Sequence, residues 1–274
     1  LRFKLFIPSC YTGTPLPLIV MLHGCGQNAD DFALGTGMNE LAEKRGCLVA
    51  YPEQSSSVSW NRCWNWFAAD HQERGQGEPA LIAGITQKIL AEYMVDTTRV
   101  YAAGLSSGGA MAVILGITYP DLFTAIGCHS GLAHGSATDR YGAMRAMRDG
   151  AEPCMAANDR PAASVPIIVF HGDRDFTVHP KNSMDVVQQT IDSYTARIPH
   201  EVTEVAQWEE TGKIAGREFT RNVHLGKMGK VVAERWTVHG TGHAWSGGNR
   251  LGSYTDASGP HASEEMLRFF MRAA

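Results

Sequence analysis

The sequence predicts an α/β protein: a mostly parallel, doubly wound sheet with helices on both faces. Two observations carry that expectation. Short apolar runs of strand length alternate along the chain with stretches of helical periodicity. A Gly-x-Ser-x-Gly turn, Gly104-Leu105-Ser106-Ser107-Gly108, stands between one such run and one such helical stretch. The 274 residues show no internal repeat, low-complexity tract or linker, so 1–274 reads as one domain.

The elements follow in order. Leu1–Ile7 alternates and reads as an edge strand. Leu18–Leu22 is continuously apolar and reads as a buried strand. Asp30–Arg45 has helical spacing through Phe32, Met38 and Leu41. Cys47–Tyr51 is a strand stopped by Pro52. Residues 53–77 are irregular, and Pro79–Tyr93 resumes the helical period. Arg99–Leu105 reads as a strand, Ser107–Tyr119 as a helix and Phe123–His129 as a strand. Residues 131–164 carry no firm pattern and read as a lid or crossover insert. Ile167–Phe170 is a strand and Lys181–Arg197 a helix. Val202–Trp208, Glu218–His224 and Val231–Val238 read as strands, the last two joined by a Gly-Lys-Met-Gly turn. Ser263–Arg272 closes the chain as a helix.

Composition narrows the function. Net charge is −4 and no Lys/Arg block stands out, which argues against nucleic acid or an anionic membrane surface as partner. The apolar runs are strand-sized, too short to span a bilayer. The chain opens on Leu1-Arg2-Phe3 without an initiator Met, so the N-terminus reads as trimmed and the compartment is left open. The six cysteines (Cys10, Cys25, Cys47, Cys63, Cys128 and Cys154) include no CxxC pair, so no zinc or redox motif is read. Free thiols and one or two disulfides both remain open.

Ligands of doubly wound sheets sit beyond the carboxyl ends of the strands. The segments after Leu22, Leu105 and Phe170 all fall there. Ser106 reads as a nucleophile on a strand-to-helix elbow, with Gly104 and Gly108 removing Cβ atoms that would collide with neighbouring backbone. A serine hydroxyl needs an adjacent base, itself oriented by a carboxylate. Phe170-His171-Gly172-Asp173-Arg174-Asp175 offers two carboxylates. Asp175 lies further from the strand end and can reach a histidine, whereas Asp173 reads as holding the turn. The base reads as His243 in the glycine-flanked Gly240-Thr241-Gly242-His243. His239 reads as structural, and His129 and His261 lack such a setting. An oxyanion hole needs pre-aimed backbone amides. The amide of Ser107 and that of Cys25 in His23-Gly24-Cys25-Gly26-Gln27 are the candidates, with Gly26 as fallback. Trp64 and Trp66 in Cys63-Trp64-Asn65-Trp66-Phe67, and Trp245 beside the base, are candidate substrate-binding walls.

Taken together, LHGCGQNADDFALGTGMN (22–39), GCLVAYPEQ (46–54), CWNWF (63–67), GEPALIAGI (77–85), RVYAAGLSSGGAM (99–111), YPDLF (119–123), HGDRDFTVHP (171–180) and GTGHAWSGG (240–248) resemble the polyhydroxybutyrate depolymerase-type esterases, relatives of feruloyl and acetylxylan esterases. The resemblance implies an α/β-hydrolase fold, no metal and no cofactor, and hydrolysis of carboxylic esters through an acyl-enzyme on Ser106, Asp175 and His243. Short-chain acyl esters, hydroxyalkanoate oligomers or polyester are the implied substrates. It also implies a Cys25–Cys63 disulfide. Feruloyl or acetylxylan ester hydrolysis, acyl transfer on the same scaffold and a catalytically dead binding relative are the rival readings.

Overall fold

The computed structural model describes residues 1–59, 61–150, 165–196 and 206–273. The strands, in chain order, are β1 (Arg2–Phe6), β2 (Leu16–Leu22), β3 (Leu48–Glu53), β4 (Val95–Leu105), β5 (Ala125–His129), β6 (Ile167–Gly172), β7 (Ala206–Ile214), β8 (Arg217–Leu225), β9 (Val231–Val238), β10 (Trp245–Ser246) and β11 (Thr255–Asp256). The helices are α1 (Ala29–Thr36), α2 (Met38–Arg45), α3 (Gly77–Glu92), α4 (Ser107–Thr118), α5 (Arg140–Asp149), α6 (Lys181–Thr195) and α7 (Ala262–Ala273).

Among the described residues, nine strands form one sheet in the order β1-β3-β2-β4-β5-β6-β9-β8-β7. The run from β3 to β9 is parallel, and β1, β8 and β7 are added antiparallel at the margins. Alternation along the central strands feeds two apolar layers. Leu18, Val20 and Leu22 point into one, with Ile82 of α3, Met111 of α4, Ala143 of α5 and Val186 of α6. Ile19 and Met21 point into the other, with Phe32 of α1, Met38 of α2, and Met266 and Phe270 of α7. Burial on both faces is why these strands read as unbroken apolar runs. The register aligns the strand ends that matter: Leu22 opposes Gly104, Gly104 opposes Cys128, His129 opposes Phe170, and Gly172 opposes Val238.

Several elements depart from the sequence expectation. The helix expected over Asp30–Arg45 is two helices. Gly37 adopts φ +63°, and its amide closes α1 on Ala33 O at 3.2 Å before α2 restarts at the buried Met38. Glycine reaches that conformation without steric cost. The strand expected over Val202–Trp208 is described only from Ala206 and runs on to Ile214, pairing with β8 along its length; 202–205 lie outside the described residues. Within the patternless 131–164, Arg140–Asp149 is helical, capped by Asp139, whose side chain accepts the Gly142 amide at 2.7 Å. Its buried positions are the alanines 143 and 146, too small to give an obvious apolar period. Residues 151–164 of the expected insert lie outside the described residues.

Candidate active site

Ser106 occupies the single-residue turn between β4 and α4. Its backbone sits at φ +56°, ψ −120°, a strained conformation for a residue with a Cβ. Strain of this kind costs on the order of 1–3 kcal/mol and persists only where the surroundings enforce it. Here the Ser106 amide donates to His129 O at 2.8 Å, and its carbonyl accepts the Ala110 amide at 2.9 Å. The glycines are obligatory. A Cβ on Gly104 would lie 2.4 Å from the Gly108 backbone, and one on Gly108 would lie 2.2 Å from Leu22 O. Backbone therefore crosses backbone directly beneath the serine.

Asp175 follows β6, and its side chain is buried. Oδ1 accepts the amides of Thr177 at 2.9 Å and Val178 at 2.8 Å. Oδ2 lies 2.6 Å from His243 Nδ1 and 3.3 Å from His171 Nε2. Burial alone would raise this carboxyl, but the bonds from His171, His243 and the Val178 amide outweigh it and hold it well below the usual carboxylate range. A carboxylate facing Nδ1 puts the proton there, which leaves Nε2 of His243 as an acceptor. The two loops meet closely: Arg174 N donates to Thr241 O at 3.0 Å, and a Cβ on Gly172 would lie 2.2 Å from that same carbonyl. Asp173 instead holds the turn. It takes the Gly240 amide at 2.7 Å and His239 Nδ1 at 2.8 Å, while His239 Nε2 meets the Thr220 hydroxyl at 3.0 Å. His261 accepts the Glu264 amide at the start of α7.

The loop after β2 is clamped from three sides. Gly24 N donates to Gln27 Oε1 at 2.9 Å, and Gly26 N donates to Asn61 O at 2.7 Å. That second bond spends the Gly26 amide and removes it as an oxyanion donor. Cys25 and Cys63 form a disulfide. Because its sulfurs carry no hydrogen, the Ser107 hydroxyl is the donor in its 3.4 Å contact with Cys25 Sγ. The same hydroxyl faces the Trp64 amide at 3.4 Å. Among the described residues, neither the Cys25 amide nor the Ser107 amide has an acceptor. Ser107 opens α4, where the first amides have no intrahelical partner and the helix dipole favours negative charge.

Trp64, Trp66 and Trp245 lie elsewhere than on a cleft wall. All three are buried, Trp64 and Trp245 at 0% exposure, so they offer no face to a substrate. Trp64 Nε1 donates to His23 O at 3.0 Å, which fixes the turn that carries Cys25. Trp245 Nε1 donates to Ser263 Oγ at 3.0 Å, and its ring meets Phe32 edge-on and stacks on His129. The indoles are the floor under the loops. A buried Trp with its N–H satisfied contributes area and orientation together.

Sequence reasoning missed the polar groups beneath the site. His23 Nε2 accepts the Gln54 amide at 3.1 Å, so its Nδ1 carries the proton toward Gly24 O at 2.8 Å. Burial lowers its pKa. His129 Nε2 accepts the Ser246 amide at 3.0 Å, and Nδ1 donates to Ser130 Oγ at 3.1 Å. Burial, then the nearby His171 and His243, push His129 well down, so it is a neutral spacer between Phe170 and Trp245. Buried Glu78 accepts the Asn65 amide at 2.7 Å and binds Gln54, tying the tryptophan loop to α3. The only signal available in the sequence was a polar residue ending an apolar run, as in Leu22-His23 and Cys128-His129. Among the described residues, no group of three or more His, Cys, Asp or Glu could hold a metal ion, and no helix is long and apolar enough to cross a membrane.

A mostly parallel sheet with a serine elbow after its central strand β4, and an Asp–His pair after β6 and β9, defines the α/β-hydrolase fold. Solved structures share that fold: an acetyl xylan esterase from Aspergillus awamori superposes with TM-score 0.72 at 19% identity, covering 99% of this chain and 94% of that one. Esterase PE8 gives TM-score 0.57 at 15% identity, covering 99% and 98%. The chain belongs to the esterase PHB depolymerase family, whose model matches residues 1–206. Poly(3-hydroxyalkanoate) depolymerase C of Paucimonas lemoignei is 30% identical over 83% of this chain and 54% of its own length, so the chain spans about half of that relative. Feruloyl esterase B of Thermothelomyces thermophilus is 29% identical over 79% of this chain and 78% of its own length.

Proposed function

We propose that the protein is a serine esterase acting on carboxylic esters, with hydroxyalkanoate oligomers or polyester as the substrate class. Feruloyl and acetylxylan esters are the competing substrates within the same chemistry. The observation that carries this reading is a buried Asp175 carboxylate 2.6 Å from His243 Nδ1, beyond the same strand ends as the strained, glycine-bounded Ser106, whose amide is bonded to His129 O. Strain at a reactive residue and a tautomer-fixing carboxylate are what nucleophilic acyl transfer requires.

In the cycle, the Ser106 hydroxyl attacks the ester carbonyl as His243 Nε2 takes its proton. The amides of Cys25 and Ser107 donate hydrogen bonds to the oxyanion. His243 then protonates the departing alkoxide, leaving an acyl-serine. Water, deprotonated by the same imidazole, attacks that acyl group, and the His243 imidazolium then protonates Ser106 Oγ as its bond to the acyl carbon breaks and the acid leaves. Asp175 stabilises the imidazolium in both halves. The described part of the expected 131–164 insert, with its helix Arg140–Asp149, is the candidate for shaping access. Release of p-nitrophenolate from p-nitrophenyl butyrate tests the reading. Ser106→Ala is expected to lower kcat by about 10⁴-fold or more; an unchanged rate would sink it.

A further inference from the structure

Tyr254 is the one bulky aromatic in the described chain held at positive φ while its ring stays half exposed. Its φ is +52°, and its exposure is 53%. A glycine there would be free of strain, and an exposed ring gains little from packing. The chain around it is nonetheless tightly fixed. Tyr254 O accepts the Trp245 amide at 2.7 Å, two residues beyond His243. Ser253 N donates to Asp31 Oδ1 at 2.9 Å, and Ser253 O accepts Gln27 Nε2 at 3.0 Å. The excursion therefore bridges the histidine loop and the turn that carries Cys25.

The ring ends at that turn. A Cβ on Gly26 would stand 3.9 Å from the Tyr254 hydroxyl and 3.8 Å from Asn61 Oδ1. Those are ordinary contact distances, so the hydroxyl lies at the surface of the turn, where Gly26 itself is held at φ +79°. Among the described residues the Tyr254 hydroxyl makes no hydrogen bond. A phenol is a donor, and a strained backbone has set this one beside the oxyanion turn with its donor unspent.

On the esterase reading, the alcohol side of the substrate must lie against His243, which protonates it. The Tyr254 excursion touches both the histidine loop and the turn of Cys25 and Gly26, so an acyl arm laid over that turn passes within its reach. We propose that Tyr254 is a specificity-determining residue that donates a hydrogen bond to a second carbonyl oxygen on the acyl arm, one ester beyond the bond that is cut. It selects acyl groups that carry a further ester over plain alkyl acyl groups.

Two probes separate these cases: p-nitrophenyl butyrate, and p-nitrophenyl 3-acetoxybutanoate, which adds a second ester carbonyl on the acyl arm. Tyr254→Phe keeps the ring and removes the donor. It is expected to lower kcat/KM about tenfold on the acetoxy ester, largely through KM, and to stay within about twofold on the butyrate. Tyr254→Gly removes ring and strain together; it should show the same selective loss with a melting temperature no lower than the parent. Equal changes on both esters, or none on either, overturn the assignment alone. A parent enzyme that hydrolyses neither ester overturns the esterase reading and this assignment with it.

Discussion

Asp175→Asn probes the site at its most constrained atom. The substitution keeps the side-chain volume and exchanges one acceptor for a donor. Oδ1 already receives the Thr177 and Val178 amides, so the Asn carbonyl oxygen must stay on that side. The Asn NH₂ group is thereby forced toward His243 Nδ1, where the carboxylate oxygen stood at 2.6 Å. Two donors cannot share that line. His243 must accept at Nδ1 and carry its proton on Nε2, which on the proposed mechanism leaves Ser106 without a base. In Ser-His-Asp enzymes this tautomer inversion lowers kcat by about 10⁴, equivalent to roughly 5 kcal/mol in the barrier. The measurement is kcat on p-nitrophenyl butyrate, with a melting curve to establish that the variant is folded. A folded variant keeping more than about a tenth of parental kcat would refute the reasoning.

The same carboxylate makes stability depend on acid. Its folded pKa is depressed, so its contribution is complete above the unfolded value of about 3.9 and is lost as pH falls through the lower folded value. Denaturant melts between about pH 5 and pH 2 should therefore steepen more for the parent than for Asp175→Asn; parallel slopes would contradict this. The Cys25–Cys63 bond closes a separation of 38 residues, for which chain entropy gives about 4 kcal/mol. The double Cys25→Ser, Cys63→Ser protein should lose most of that in chemical denaturation, and reduction of the denatured parent should release two further Ellman-reactive thiols at these positions. A loss below about 1 kcal/mol would show that the loops hold without the bond.

Backbone requirements were the most legible part of the sequence. Gly104 and Gly108 announce a crossing of chains because no other residue leaves room, and the structure finds the crossing at Leu22 O. The choice between Asp173 and Asp175 was readable from their distance to the strand end, and each now has its own histidine. Orientation was not legible. Trp64 and Trp245 announce size, but which way an indole turns depends on His23 O and Ser263 Oγ, supplied by distant segments. The buried histidines and Glu78 were hidden for the same reason: their partners are long-range. Gly37 was overlooked because one αL residue interrupts the helical period without changing its apolar spacing.

The Asp173–His239 pair sits at the ends of the same two strands as the Asp175–His243 pair, with the same residue types and nearly the same separation. The two differ in accessibility: the His239 side chain is 39% exposed and that of His243 only 11%. A histidine-directed reagent will therefore reach His239 before His243 and, together with the exposed His179, record a faster class outside the Asp175–His243 pair. Modification kinetics become informative about His243 only in a protein where His239 and His179 have been replaced. The molecule thus carries its own decoy, and also its own internal standard for how burial slows such a reagent.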